Sequence, residues 1–149
     1  MTAVVFLDSG PLGLLSHTRR SPVTIACHRW PASLTAAGVR IIVPEITDYE
    51  VRRELLRIRR KAAIARLDAL AQVAEYLPIS TTAMRRAAEL WALARQQGQP
   101  TAKDNTIDAD MILAAQALTL GVPEVIVATT NVAHLSRFVP ANDWQNIIP

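Results

Sequence analysis

The sequence predicts one α/β domain built on a parallel, doubly wound sheet with helices on both faces. Three observations carry that reading. Short apolar runs rich in β-branched residues alternate with segments of helical periodicity. The runs are continuously apolar, as strands buried on both faces must be. The chain has 149 residues, 50% of them hydrophobic, which suits one sizeable core and is too little for two ordinary domains. Residues 1–149 are therefore read as a single domain.

The first strand is VVFLD (4–8), after which SGPLG turns the chain. RIIVP (40–44) is the second and is closed by its proline. EYLPIS (75–80) is a weaker third, EVIVATT (124–130) a strong fourth, and WQNII (144–148) reads as a short edge strand. Residues 22–37 are helix-compatible despite Pro31. Residues 45–74 form one or two helices, with Ile46, Leu55, Leu56, Ile64, Leu67 and Leu70 at apolar positions. Residues 81–97 place Met84, Ala87, Leu90, Trp91 and Ala94 at helical spacing. Residues 110–120 are apolar nearly all round, so this helix is expected to lie against the sheet. QQGQPTAKDNT (96–106) is the clear polar loop.

No stretch reaches the roughly 18 uninterrupted apolar residues of a membrane span. MTAVVFLDSG lacks the basic segment and small-residue cleavage site of a secretory signal. A cytoplasmic protein without a membrane partner is the expectation. Cys27 is the sole cysteine; it cannot form an internal disulfide or a thiolate metal site alone, and it reads as a small core filler. The formal net charge is +3. Arg52, Arg53, Arg57, Arg59, Arg60, Lys61 and Arg66 crowd one segment whose acids are Glu50 and Glu54. This run is either a solvated helix face or a contact surface for phosphates or an acidic protein.

In a parallel sheet, ligands bind beyond the carboxyl ends of the strands. Asp8 ends the first strand and Glu50 lies just over a turn into the helix after the second. Asp110 opens the helix before the fourth strand, and Asn131 follows that strand. Three carboxylates and an amide converging on one edge make a hard-oxygen site for Mg²⁺ or Mn²⁺. Two carboxylates about 4 Å apart repel by roughly 4 kcal/mol at an effective dielectric near 20, and a cation reverses that sign. His17, His28 and His134 are too scattered to suggest zinc. Each acid also has a plain structural reading. Asp8 can serve the turn, and Glu50 in TDYE can complete a capping box with Thr47 or pair with Arg53. Glu54 shares the face of Glu50, while Glu45 and Asp48 complement the helix dipole.

The segments VVFLDSGPL, VPEITDYEVRREL, DADMILAAQAL and VIVATTNVAHL, in this order and spacing, resemble PIN-domain ribonucleases, most closely the VapC-like toxins of type II toxin–antitoxin modules. The likeness runs from about residue 4 to residue 138. It implies a Rossmann-like α/β/α fold with a central parallel sheet. It also implies Mg²⁺- or Mn²⁺-dependent hydrolysis of RNA phosphodiester bonds, with an activated water attacking phosphorus in line. Carried over by position, the resemblance puts the family's acids on Asp8, Glu50 and Asp110, and its fourth position on Asn131, where many members have aspartate. It further implies a cognate antitoxin and a homodimer. Residues 18–38 match no distinctive motif, and Trp30 or Tyr49 is the candidate for stacking bases.

Within NTIDADMILAAQAL, Asp104 reads as a loop acid and Asp108 as the N-cap, close enough to be a secondary metal ligand. Asp110 is the principal ligand. The competing function is a catalytically weak PIN-like module that binds RNA or a partner, with Asn131 as its hint. A receiver-like domain predicts a lysine after the last strand, and there is none between Val125 and Pro149. A nucleotide-binding Rossmann protein is excluded by the absence of both glycine-rich phosphate motifs.

Overall fold

The structure, a computed structural model, describes residues 3–98 and 104–149, with residues 104–107 followed in backbone alone. Its sheet has five strands: β1 (Val4–Leu7), β2 (Arg40–Pro44), β3 (Glu75–Leu77), β4 (Val125–Thr129) and β5 (Ala141–Asp143). They run in the order β3-β2-β1-β4-β5, and every pairing is parallel. In register, Phe6 lies opposite Ile42 on one side and Val127 on the other.

The continuous apolar strands are explained by what covers them. Val4 and Phe6 point into one core with Ala83, Ala87 and Leu90 of α5 (Thr81–Gln96) and Met111, Leu113 and Ala114 of α6 (Asp104–Leu118). Val5 and Leu7 point into the other. There they join Leu12 and Leu15 of α1 (Ser9–Ser16), Cys27, Trp30 and Leu34 of α2 (Pro22–Ala36), Val51 of α3 (Glu45–Arg57) and Leu67 of α4 (Lys61–Val73). The chain therefore has one sheet and two apolar layers, the α/β/α arrangement the alternation predicts. Cys27 is a buried free thiol, as expected of a filler. Among the described residues, no helix is long and apolar enough to cross a membrane.

Several boundaries differ from the sequence reading. SGPLG does not simply turn the chain, because α1 begins at Ser9 and Asp8 is its N-cap. Residues 45–74 are two helices, the second of the two alternatives expected, separated where Arg59 takes a left-handed φ of 58°. The last strand is Ala141–Asp143, and Trp144–Asn146 form a 3-10 turn capped by Asp143 instead of the expected strand over 144–148. Trp144 then turns inward against Trp30, ring centroids 5.6 Å apart. Pro31 lies inside α2 without ending it; the neighbouring Trp30 and Leu34 are buried, and their burial offsets the missing amide bond.

Helix α6 starts at Asp104, four residues before the expected cap, so Asp108 lies within the helix and is not its N-cap. The expected polar loop over 96–106 is thus shorter at both ends, and its residues 99–103 lie outside the described residues. The capping box proposed for Glu50 is also absent. Helix α3 begins at Glu45 after Pro44, which makes no side-chain cap bond, and Thr47 is fully buried within the first turn.

Candidate metal-binding active site

The strand order places its reversal at β1, which has β2 on one side and β4 on the other. Beyond the carboxyl ends of β1 and β4 the covering helices part, the crevice in which such sheets hold ligands. Asp8 leaves β1 at this point. Its backbone amide still donates to the Ala128 carbonyl at 3.0 Å, fixing it to β4. Its carboxylate oxygens have separate partners. Oδ1 accepts from the Ser9 amide at 2.7 Å, the N-cap bond of α1, and Oδ2 accepts from the Thr129 hydroxyl at 2.7 Å. The Thr129 oxygen in turn accepts from the Asn131 amide at 2.9 Å. Asp8, 6% exposed, is therefore oriented by β4 and by the first residue of α1. The approach is close: a Cβ on Gly10 would come within 2.8 Å of the Thr130 hydroxyl, so this turn of α1 has room for glycine only unless Thr130 moves.

Glu50 reaches the same place from the second turn of α3, and Asp110 from the second turn of α6. Their mutual electrostatics show the convergence. Burial raises the Asp8 carboxyl above the ordinary range, against the lowering effect of its bonds from Thr129 and Ser9. Glu50 is pushed up to about 7, by burial first and then by the charge of Asp8, while Arg53 pulls it down. Asp110 is pushed up to about 7 by burial, then by Asp8 and Glu50. Three carboxylates thus disfavour one another's ionisation inside a desolvated crevice. Without a cation, the cluster stores protons and repulsion.

His134, on the one-turn helix α7 (Val132–Leu135), is brought to this cluster although its position in the sequence gave no sign of it. Its Nε2 lies 3.1 Å from Asp110 Oδ2 but is not aligned for a hydrogen bond. Burial and Arg137 hold the imidazole below its ordinary pKa, so the pair is a close approach of neutral ring and carboxyl rather than a salt bridge at neutral pH. The ring edge is packed on Phe138, centroids 5.8 Å apart. Thr129 is the other residue missed. The motif TTN was read for its asparagine, yet the buried hydroxyl two residues earlier is what touches Asp8.

The remaining candidates separate cleanly. Asn131 stands at the correct edge, as the residue before α7, but it is exposed and makes no side-chain cap bond; its amide, through Thr129, is what connects to Asp8. Asp108 is exposed and faces a hollow between α5 and α6 lined by Met84, Trp91 and Met111, so it is not brought to the other acids. Glu54 is also not in the site: it is exposed and ion-paired to Arg57. Trp30 is no stacking platform, since it is buried and its indole donates to the Ile147 carbonyl at 2.8 Å. Tyr49 is 55% exposed beside Glu50, with the Arg53 guanidinium 5.1 Å from its ring centre.

The donor set of Asp8, Glu50 and Asp110 fits a hard divalent ion, all carboxylate oxygen at the mouth of a sheet crevice. Among the described residues no three acids or histidines are already closed to the spacing of one coordination sphere.

A central parallel sheet with an acid crevice at its switch point defines a class of Rossmann-like α/β/α folds. The PIN domain model matches residues 7–136, and the chain belongs to the PIN domain family. Solved structures share the architecture. VapBC2 of Rickettsia felis, bound to a DNA fragment from its promoter, has 14% identity and a TM-score of 0.73, over 95% of this chain and 98% of that one. FitAcB of Neisseria gonorrhoeae has 18% identity and a TM-score of 0.70, over 96% and 99%. DNA-bound VapBC of Salmonella typhimurium has 19% identity and a TM-score of 0.61, over 97% and 99%. Identities this low speak for the fold alone. No curated protein sequence matches the chain.

Proposed function

We propose that this protein is a Mg²⁺- or Mn²⁺-dependent endoribonuclease and the toxin of a toxin–antitoxin pair, acting in the cytoplasm. The observation that carries the reading is the buried Asp8, oriented by Thr129 and raised in pKa together with Glu50 and Asp110. Such a cluster is costly to keep in a fold unless a cation uses it. When bound, a divalent ion supplies Lewis acidity to the phosphate and to the attacking water.

The protein's own groups then have distinct tasks. Asp8 and Asp110 would hold the ion, and Glu50, with its pKa near neutrality, would orient the attacking water and take its proton. Thr129 keeps Asp8 in one rotamer and His134 buttresses Asp110. Asn131 stands at the rim, where its amide side chain donates to a phosphate oxygen. A cognate antitoxin as partner is supported by the family and by the fold shared with VapBC complexes. For a homodimer, the exposed Met84 and Trp91, seven residues apart on one face of α5, offer an apolar contact.

The test is induction of the chain in a bacterial host without its genomic neighbours. Growth arrest with RNA fragmentation, both abolished by Asp8→Asn, supports the proposal. Growth unaffected by a well-expressed protein speaks against the toxin role. RNA retained by the purified protein but never cut would favour the binding-module alternative.

A further inference from the structure

The segment 18–38 matches no motif, yet among the described residues none of its three arginines makes an ion pair. Arg19, Arg20 and Arg29, with Arg66 of α4, line a hollow of about 340 Å³ together with Thr24 and His28. Several arginines elsewhere are answered by acids: Arg40 by Glu75, Arg52 by Asp48 and Asp68, Arg57 by Glu54 and Arg86 by Glu89. No acid lines this hollow, and among the described residues none pairs with Arg19, Arg20, Arg29 or Arg66. Four like charges gathered without a counterion repel one another unless an anion joins them.

The frame is also rigid. The buried Thr24 hydroxyl donates to the Arg19 carbonyl at 2.8 Å and anchors the turn that carries Arg19 and Arg20. Arg66 donates to the His17 carbonyl at 3.2 Å, tying α4 to the end of α1. The hollow and the acid crevice lie at opposite ends of the same short element, because α1 starts beside Asp8 and ends at Ser16. Eight residues at helix rise span about 12 Å. A polyanion whose phosphate approaches the acid crevice meets repulsion there, and a cationic hollow one short helix away supplies the compensating attraction.

We propose that this hollow binds a backbone phosphate of the RNA strand that enters the acid crevice, acting as a remote positioning subsite. It rests on the nuclease reading for the identity of the polyanion. Guanidinium forks converging on a small polar hollow match phosphate oxygens in geometry as well as charge. In the basic run over 52–66, Arg52 and Arg57 are already paired, Arg53 lies over the Tyr49 ring, and Arg66 lines the hollow itself.

The experiment uses the full chain with Arg19, Arg20 and Arg29 replaced by alanine, sparing Arg66 because it holds His17. A charge-reduced control carries Arg85→Ala and Arg86→Ala on α5. Binding of fluorescent poly(U) is followed by anisotropy in EDTA over a salt series, and cleavage of the same RNA is followed with Mn²⁺. The hollow variant should lose at least tenfold in affinity at 0.1 M salt. Its log–log salt slope should flatten by about 0.7, the value for one phosphate contact on a single strand. KM should rise with kcat nearly unchanged, while the control stays within twofold of the unmodified protein. Equal loss in both variants, or no loss in the hollow variant while the unmodified chain cleaves RNA, overturns the subsite and leaves the nuclease reading intact. Hollow-dependent binding by a chain that never cleaves overturns the nuclease reading and keeps the subsite. Loss of poly-glutamate binding with RNA binding unchanged assigns the hollow to an acidic protein instead and overturns the proposal.

Discussion

Replacing Asp110 by asparagine should stabilise the cation-free protein at neutral pH while destroying its activity. The side chain is 15% exposed, and its pKa is raised from 3.8 to about 7 by burial and by Asp8 and Glu50. A carboxyl that titrates higher when folded holds more protons in the native state, so stability falls as pH rises between those two values. Taken whole, that gap corresponds to at most about 4 kcal/mol of native-state penalty at pH 8. Because the three acids share the repulsion and relax on protonation, about 2 kcal/mol is the expected net cost. Asparagine is neutral at every pH, so Asp110→Asn should raise Tm by about 4–8 °C at pH 8 in EDTA for a chain of this size. Near pH 4, where the native carboxyl is already protonated, the two proteins should melt within about 1 °C of each other. Thermal unfolding by circular dichroism from pH 4 to pH 8 measures this. A loss of stability of similar size at both pH values would show Asp110 to be an ordinary structural residue and refute the electrostatic reasoning.

The same electrostatics predict that saturating Mn²⁺ raises the Tm of the unmodified protein at pH 8. The gain is about 2.7 kcal/mol at a hundredfold excess over the dissociation constant, and unchanged melting would contradict a cation at this site. Thr129→Val removes the hydroxyl that donates to Asp8 Oδ2 and leaves that oxygen short of a partner. It should cost about 1–3 kcal/mol in a urea titration and weaken Mn²⁺ binding by calorimetry. Gly10→Ala pushes on Thr130 and should reduce cleavage more than it reduces stability, since the strain falls on the loop behind Asp8. Asp108→Asn, on the far side of α6, should leave both Tm and cleavage near the unmodified values, as activity assays with melting curves will show.

The fold was legible because apolar periodicity is a property of every strand and helix that must be covered. VVFLD and EVIVATT announced the two central strands, and their continuous character announced burial on both faces. What the pattern could not show was how the ends are closed. SGPLG carries three residues that favour turns, Gly10, Pro11 and Gly13, but a carboxylate at Asp8 satisfies the Ser9 amide and starts a helix at once. Asp108 looked like a cap because polar residues precede it, whereas α6 already runs from Asp104. WQNII has strand composition, yet Asp143 caps the residues after it and turns Trp144 toward Trp30.

Within the site, the acids could be placed because they stand at strand ends and in first or second helical turns, where sequence offset fixes the sheet edge. Thr129 and His134 could not, since a hydroxyl and an imidazole take their roles from partners 121 and 24 residues away in the chain. The unpaired arginines were equally hidden. A run of basic residues over 52–66 is conspicuous in sequence, but acids one helical turn away pair with Arg52 and Arg57, whereas no acid lines the hollow that gathers the scattered Arg19, Arg20 and Arg29.

The central claim, that Asp8 anchors a cation for RNA hydrolysis, is tested most directly by cleavage of single-stranded RNA with purified Asp8→Asn beside the unmodified chain, in Mn²⁺ and in EDTA. The account predicts Mn²⁺-dependent cleavage that EDTA stops and that the substitution reduces by at least about a hundredfold, with the variant still folded by circular dichroism. Cleavage of equal rate by folded Asp8→Asn, or cleavage indifferent to EDTA, would contradict it.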